Sequence, residues 1–161
     1  MASTDYVYTI YIRTTAEELW AHITDNETYR EWWSDTRMVS SFKSGSAIVY
    51  LRNGMEDVAG EILESEAPFR LSHTFRVGRV GPMRDEGVSL VTYEIKENGP
   101  SIMLRVTHQG FPENSAVRNG VSNGWPAILS SLKSFIETGK PLRYADWGDR
   151  IERSKAADRD G

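Results

Sequence analysis

A chain of 161 residues, 39% hydrophobic and 26% charged, has ordinary globular composition and is long enough for one domain with a sizeable core. Its net charge of −4 argues against a nucleic-acid binder that works through bulk positive charge, and the lack of cysteine excludes disulfides, thiolate catalysis and cysteine metal sites. The N-terminus MASTDYVYTI has no basic region followed by an apolar core, and no apolar run approaches the ~18 residues that span a bilayer. The expectation is a soluble cytoplasmic protein with no stable membrane insertion, a monomer or weak homodimer.

Residues Tyr6 to Ile12 alternate and are rich in β-formers, which predicts a first strand with Tyr6, Tyr8, Ile10 and Ile12 on one face. Thr15-Ala16-Glu17-Glu18 has the form of a capping box and opens a short helix carrying Leu19, Trp20 and Ile23 on one side. Asp25 is placed to cap a second short helix reaching about Trp32, with Tyr29, Trp32 and Trp33 near its end.

From Thr36 the period changes to two. Strands are predicted at Thr36–Ser40, Ala47–Arg52, Val58–Glu66, Arg70–Val77, Val88–Lys96 and Ile102–Gln109. Turn chemistry separates them, Asn53-Gly54 being a good two-residue hairpin signal. The longest internal loop, Gly78 to Gly87, is expected to be a mobile rim. With no helix between these strands, the simplest sheet is an antiparallel meander.

A long amphipathic helix follows over about Asn114–Thr138. Val117, Val121, Trp125, Ile128, Leu132 and Phe135 form its apolar stripe, widened by Leu129 and Ile136. Asn114 or Ser115 can cap its start, and Gly139 with Pro141 marks its end. Pro126 removes one donor and crowds the turn before it, which predicts two segments meeting at a bend near Gly124. Any pocket is expected towards the first segment, with its entrance beside Gly110-Phe111. The domain is expected over residues 1–139. Residues 140–161 read as a charged tail, with a possible short helix from Trp147 to Ala157 and with Tyr144, Trp147 and Ile151 able to dock on the body.

A seven-stranded sheet with one buried face needs a cover, and only the last helix is long enough to supply it. The order therefore predicts an α+β helix-grip fold: a curved antiparallel sheet round a long C-terminal helix, with two short helices after the first strand. Strand parity then puts Leu71, His73, Phe75 and Val77 on one face, with Val91, Tyr93 and Ile95, and with Leu104, Val106 and His108, on the same inward side. His73, Tyr93 and His108 are the polar candidates in an aromatic interior. Each is either a ligand-binding or acid/base group, or a core residue satisfied by its neighbours. His22 reads as a surface residue. The three histidines lie on separate elements without HxH or HxxxH spacing, so neither a metal nor another cofactor is expected.

Thr15-Ala16-Glu17-Glu18-Leu19-Trp20, Trp32-Trp33, Gly60-Glu61-Ile62-Leu63-Glu64, Pro68-Phe69-Arg70-Leu71, Leu104 to Phe111 (LRVTHQGF) and Gly124 to Leu132 (GWPAILSSL) occur in an order and spacing that resemble the START-like, SRPBCC superfamily. Within it they are similar to the family named after the activator of the heat-shock chaperone ATPase, the Aha type. The resemblance covers most of residues 6 to 138 and implies the helix-grip fold reached above. It implies a binder of a hydrophobic small molecule, lipid or aromatic metabolite, which is the leading expectation. Trp32, Trp33, His73, Phe75, Tyr93, His108, Phe111, Val121 and Trp125 would line the ligand site, with no catalytic set assigned. A minority of the superfamily are cyclases, aromatases or hydroxylase components, so an enzyme using His73, Tyr93 or His108 is the alternative. The family's namesake stimulates a chaperone ATPase and carries an additional N-terminal domain. This chain is too short to hold that domain as well, which places chaperone contact behind the other readings.

Overall fold

A computed structural model describes residues 4–143 apart from Glu27 and Tyr29. The tail positions Tyr144, Trp147 and Ile151, and the helix expected from Trp147 to Ala157, lie outside the described residues. Seven strands form one antiparallel sheet: β1 (Tyr6–Ile12), β2 (Arg37–Val39), β3 (Ala47–Arg52), β4 (Met55–Glu66), β5 (Arg70–Val77), β6 (Val88–Asn98) and β7 (Ser101–Gln109). Their order across the sheet is β1-β7-β6-β5-β4-β3-β2, a meander closed at one side by the first strand. Asn53 and Gly54 both take positive φ, which matches the hairpin twist and pairs Arg52 with Met55. β4 therefore starts at Met55, three residues before the predicted Val58.

Helix α1 (Ala16–Thr24) begins at Thr15, whose Oγ1 accepts from the Glu18 N–H at 3.2 Å. The capping box is half formed, because the Glu18 carboxylate turns to the Thr14 hydroxyl instead. The second short helix predicted from Asp25 to Trp32 is not present among the described residues. What forms is one 3-10 turn, Glu31–Trp33, ended by Ser34 and Asp35 in left-handed conformation. The reason is Arg30. Its side chain reaches back to the carbonyls of His22, Ile23 and Asp25, so this segment seals the end of α1 rather than propagating a helix of its own. The rim loop contains a four-residue helix, α2 (Pro82–Asp85), where a loop was expected.

The long helix α3 (Ala116–Thr138) lies across the concave face. It buries Val117, Trp125, Leu129 and Leu132, with Val121, Ile128, Phe135 and Ile136 half-buried against the same core. Each fully buried Leu contributes ~1.5–3 kcal/mol. The helix is one continuous element through Pro126, not two segments. Ser115 is its cap, accepting from the Arg118 N–H at 2.9 Å. Gly139 ends it with φ 80°, donating to the Phe135 carbonyl. The chain then folds back, and Leu142 exchanges hydrogen bonds with the Ser131 hydroxyl.

Glu86, just after α2, places its carboxylate on the start of α3. It accepts from the Ser115 hydroxyl and from the N–H groups of Ala116 and Val117. An acidic group there offsets the positive end of the helix and pins the rim loop to it. Glu86→Ala is expected to lower stability by about 1–2 kcal/mol. Urea unfolding checks the loss, and faster amide exchange at Ala116 and Val117 checks its location.

Candidate functional site

The eight aromatic and histidine positions expected to line the interior come together in one connected cluster. The 3-10 turn supplies Trp32 and Trp33, 5.7 Å apart. The turn is held by a tight loop in which the Arg30 N–H donates to the Thr36 carbonyl at 2.9 Å. Trp33 meets Trp125 of α3 edge-on at 5.6 Å, and Trp125 meets Tyr93 of β6 at 5.9 Å. Tyr93 lies 6.2 Å from His73 of β5, and His108 of β7 lies 4.7 Å from both Phe75, which it meets edge-on, and Phe111, to which it is tilted. Val121 joins from α3, one turn before Trp125, and is half-buried. His73 and His108 are fully buried, as strand parity predicted. His22 is half-buried, with its ring edge-on to Phe135.

Hydrogen bonding fixes the state of both interior histidines. His73 Nδ1 lies 2.8 Å from the Thr74 carbonyl, which can only accept, so Nδ1 carries the proton. Nε2 is then an acceptor and takes the Tyr50 hydroxyl proton at 2.8 Å. His108 has the opposite tautomer. The Trp125 indole N–H donates to its Nδ1 at 3.2 Å, so Nε2 carries the proton and donates to Ser89 Oγ at 2.7 Å. Ser89 passes the chain on to the Phe75 carbonyl. All four ring nitrogens are engaged within the protein, and neither histidine offers a free lone pair to a substrate.

Burial keeps both imidazoles neutral. It lowers His73 to about 4, against a smaller opposing effect of the bond to Thr74. It lowers His108 to about 3, assisted by the neighbouring His73. An unfolded histidine titrates near ~6.5, so as pH falls the unfolded chain takes up protons that the folded chain refuses. The stabilisation is complete above that value and is lost as pH falls towards 4 and 3. Below pH ~6 each histidine should cost about 1.4 kcal/mol per pH unit. Urea midpoints measured over this range check it, and His108→Gln should fall less steeply than the parent chain.

Two donors in this interior have no protein partner. The Tyr93 hydroxyl is buried and meets no group with hydrogen-bond geometry, although the Tyr50 hydroxyl is near enough to perturb it. Burial pushes Tyr93 up to about 12. Arg30, 2% exposed, commits its Nε and Nη2 to main-chain carbonyls and leaves Nη1 without an acceptor. Burial lowers the Arg30 pKa, and the Tyr50 and Tyr93 hydroxyls, with Asp25, act against that.

The sequence reading did not include Arg30, Tyr50 or Ser89. Tyr50 had a signal, since it alternates with Ile48 and Arg52 on one face of β3. Ser89 had the same signal, since it shares the inward parity of Val91, Tyr93 and Ile95 in β6. Arg30 had none, because a lone arginine before two tryptophans reads as solvated. Two surface depressions lie away from this cluster. One, of about 470 Å³, is lined by Phe69, Arg70 and Glu94 to Glu97. The other, of about 330 Å³, is lined by Thr4, Asn114, Ser115, Arg118 and Asn119. Neither opens beside Gly110-Phe111. Among the described residues no three His, Asp or Glu side chains gather as metal ligands, and no helix is long and apolar enough to cross a membrane.

A seven-stranded antiparallel sheet gripping one long C-terminal helix, with an aromatic interior between them, defines a helix-grip α+β protein. The chain belongs to the family described as Activator of Hsp90 ATPase homolog 1-like proteins, which it matches over residues 13–137. Its fold is similar to the solution structure of the Aha1 dimer from Colwellia psychrerythraea, with TM-score 0.70 and 17% identity, covering 86% of this chain and 99% of that one. A crystal structure of a protein from Mesorhizobium loti gives TM-score 0.72 and 22% identity, covering 83% and 97%. An HSP90 activator from Plasmodium falciparum gives 0.67 and 19%, covering 88% and 100%. A comparison with curated proteins finds no match.

Proposed function

We propose that this protein binds an apolar small molecule between the sheet and α3, with the aromatic cluster as the lining. The observation that carries this reading is the cluster itself: it draws on the 3-10 turn, the strands and the helix, yet leaves a buried tyrosine hydroxyl unpartnered. A core built only for stability has no use for an unsatisfied hydroxyl, whereas a ligand site needs a few oriented polar groups in an apolar wall. Trp33 is the gate. It is half-buried and sits between Tyr50 and Trp125, so its outward rotation admits a ligand without breaking the sheet. The engaged histidines weigh against acid/base chemistry by His73 or His108.

Native mass spectrometry of protein purified from its own host tests the binding reading. A small molecule released on denaturation supports it. The absence of any added mass, together with unchanged tryptophan fluorescence in the presence of apolar probes, overturns it. Family membership also favours a second reading, a chaperone partner acting through its surface. A pull-down from host extract that recovers no chaperone removes that one.

A further inference from the structure

Arg30 Nη1 and the Tyr93 hydroxyl are both donors, both buried and both without an acceptor. They belong to one neighbourhood, since the Tyr93 and Tyr50 hydroxyls are both near enough to act on the Arg30 charge. The Arg30 guanidinium lies 5.7 Å from the Trp32 ring centroid, Trp32 contacts Trp33, Trp33 contacts Trp125, and Trp125 contacts Tyr93. The guanidinium is also held in place before any ligand arrives, because its other nitrogens are bonded to the carbonyls of His22, Ile23 and Asp25. Such fixing reduces the ordering cost of binding.

The chemistry of the two groups restricts what can satisfy them. Nη1 offers two N–H donors and Tyr93 one O–H; the Tyr50 hydroxyl gives its own proton to His73, and its oxygen, though close to Tyr93, does not meet that hydroxyl with hydrogen-bond geometry. The complement is a group that only accepts and that carries negative charge to match the guanidinium. An amine or an alkane would leave the donors as they are. Asp25, the acid whose charge acts on Arg30, is engaged by the Thr28 hydroxyl at 2.5 Å.

We propose that Arg30 Nη1 and the Tyr93 hydroxyl form the polar end of the ligand site and receive the carboxylate of an apolar acid whose tail lies in the aromatic interior. This rests on the reading that an apolar molecule enters there at all. The site then selects acids over alcohols or hydrocarbons of the same shape. The tail is either an alkyl chain or an aromatic ring, and the shared feature is the carboxylate head.

The test uses two matched pairs of probes, dodecanoate with dodecanol and naphthoate with naphthalenemethanol, titrated into the full chain at neutral pH by calorimetry. At least one acid is expected to bind about tenfold or more tightly than its alcohol, the gain of a charge-assisted hydrogen bond. The pair that shows it identifies the tail. Tyr93→Phe removes only an unpartnered hydroxyl, so the protein folds with undiminished stability, and the acid loses about tenfold while the alcohol is unchanged. Arg30→Met abolishes the preference. Should Arg30→Met fail to fold, a shift of the Arg30 side-chain resonances on adding the preferred acid, in arginine-labelled wild type, supplies the same evidence. Alcohols that bind as tightly as their acids overturn the carboxylate assignment and leave the apolar-ligand reading standing. An acid preference that survives Tyr93→Phe overturns the assigned site. No binding of any of the four probes overturns both.

Discussion

An alanine at Gly60 should destabilise this protein more than any other single methyl group added to it. A Cβ built there would stand 1.8 Å from the Thr74 carbonyl oxygen and 2.7 Å from its carbon, both main-chain atoms of the adjacent strand. No rotamer change relieves a clash with backbone, so β4 and β5 must separate locally. The same oxygen accepts the His73 Nδ1 proton, and the Thr74 hydroxyl accepts from the Glu61 N–H at 2.9 Å. Moving it therefore disturbs the hydrogen bonding of the interior as well: His73 loses the partner that fixes its tautomer, and Tyr50 loses a defined acceptor. The expected cost is at least ~3 kcal/mol, read as a drop in the urea midpoint. Gly124→Ala is the control. Nothing lies within 4 Å of a Cβ at that helical position, so it should stabilise the protein by about 0.5–1 kcal/mol.

The second large effect is expected at Arg30. In Arg30→Met the side chain keeps its bulk beside Trp32 but loses the donors that close the end of α1. Carbonyls of His22, Ile23 and Asp25 are then left without the charged donor that served them. Hydrogen bonds to a charged group are worth about 1.5–3 kcal/mol each, offset by no longer burying a cation, which gives a net loss of about 2–4 kcal/mol. Arg30→Lys should recover little of it, because one ammonium cannot span acceptors that a planar fork reaches together. Chemical denaturation measures the loss. Hydrogen exchange should accelerate first in the last turn of α1 and in the loop that presents Trp32 and Trp33.

Strand parity was legible because the sheet has one buried face, so a period of two carries direction as well as conformation. That is why His73, Tyr93 and His108 were placed inward, and why the aromatic cluster could be assembled from separate elements. The apolar stripe of α3 was legible for the corresponding reason at a period of 3.6. What escaped was set by contacts distant in space. The segment after Asp25 has helical composition, but Arg30 spends its donors on the preceding helix and so holds the chain in a 3-10 turn. Three of the four interior histidine nitrogens pair with Ser89, Tyr50 and Trp125, none of them adjacent in sequence, while His73 Nδ1 pairs with the carbonyl of its neighbour Thr74. Glu86, in a loop expected to be a mobile rim, is tied to the start of α3 by the same kind of long-range bond.

The place of β1 in the sheet has a consequence for how the protein is made. Tyr6 pairs with His108 and Ile12 with Ile102, so the first strand synthesised waits for the last before it has a neighbour. Strands β2 to β7 can zip as successive hairpins while β1 trails unpaired, and loop closure over such a separation is the slow step. Its fastening is equally late: Lys133 Nζ donates to the Tyr11 carbonyl, and the Arg13 N–H donates to the Glu137 carboxylate. A ribosome-bound chain that has not yet exposed α3 therefore holds an apolar sheet face with nothing across it. The two ends of this domain come together only once α3 is available, and arrest of synthesis before Ala116 should yield a protease-sensitive nascent chain.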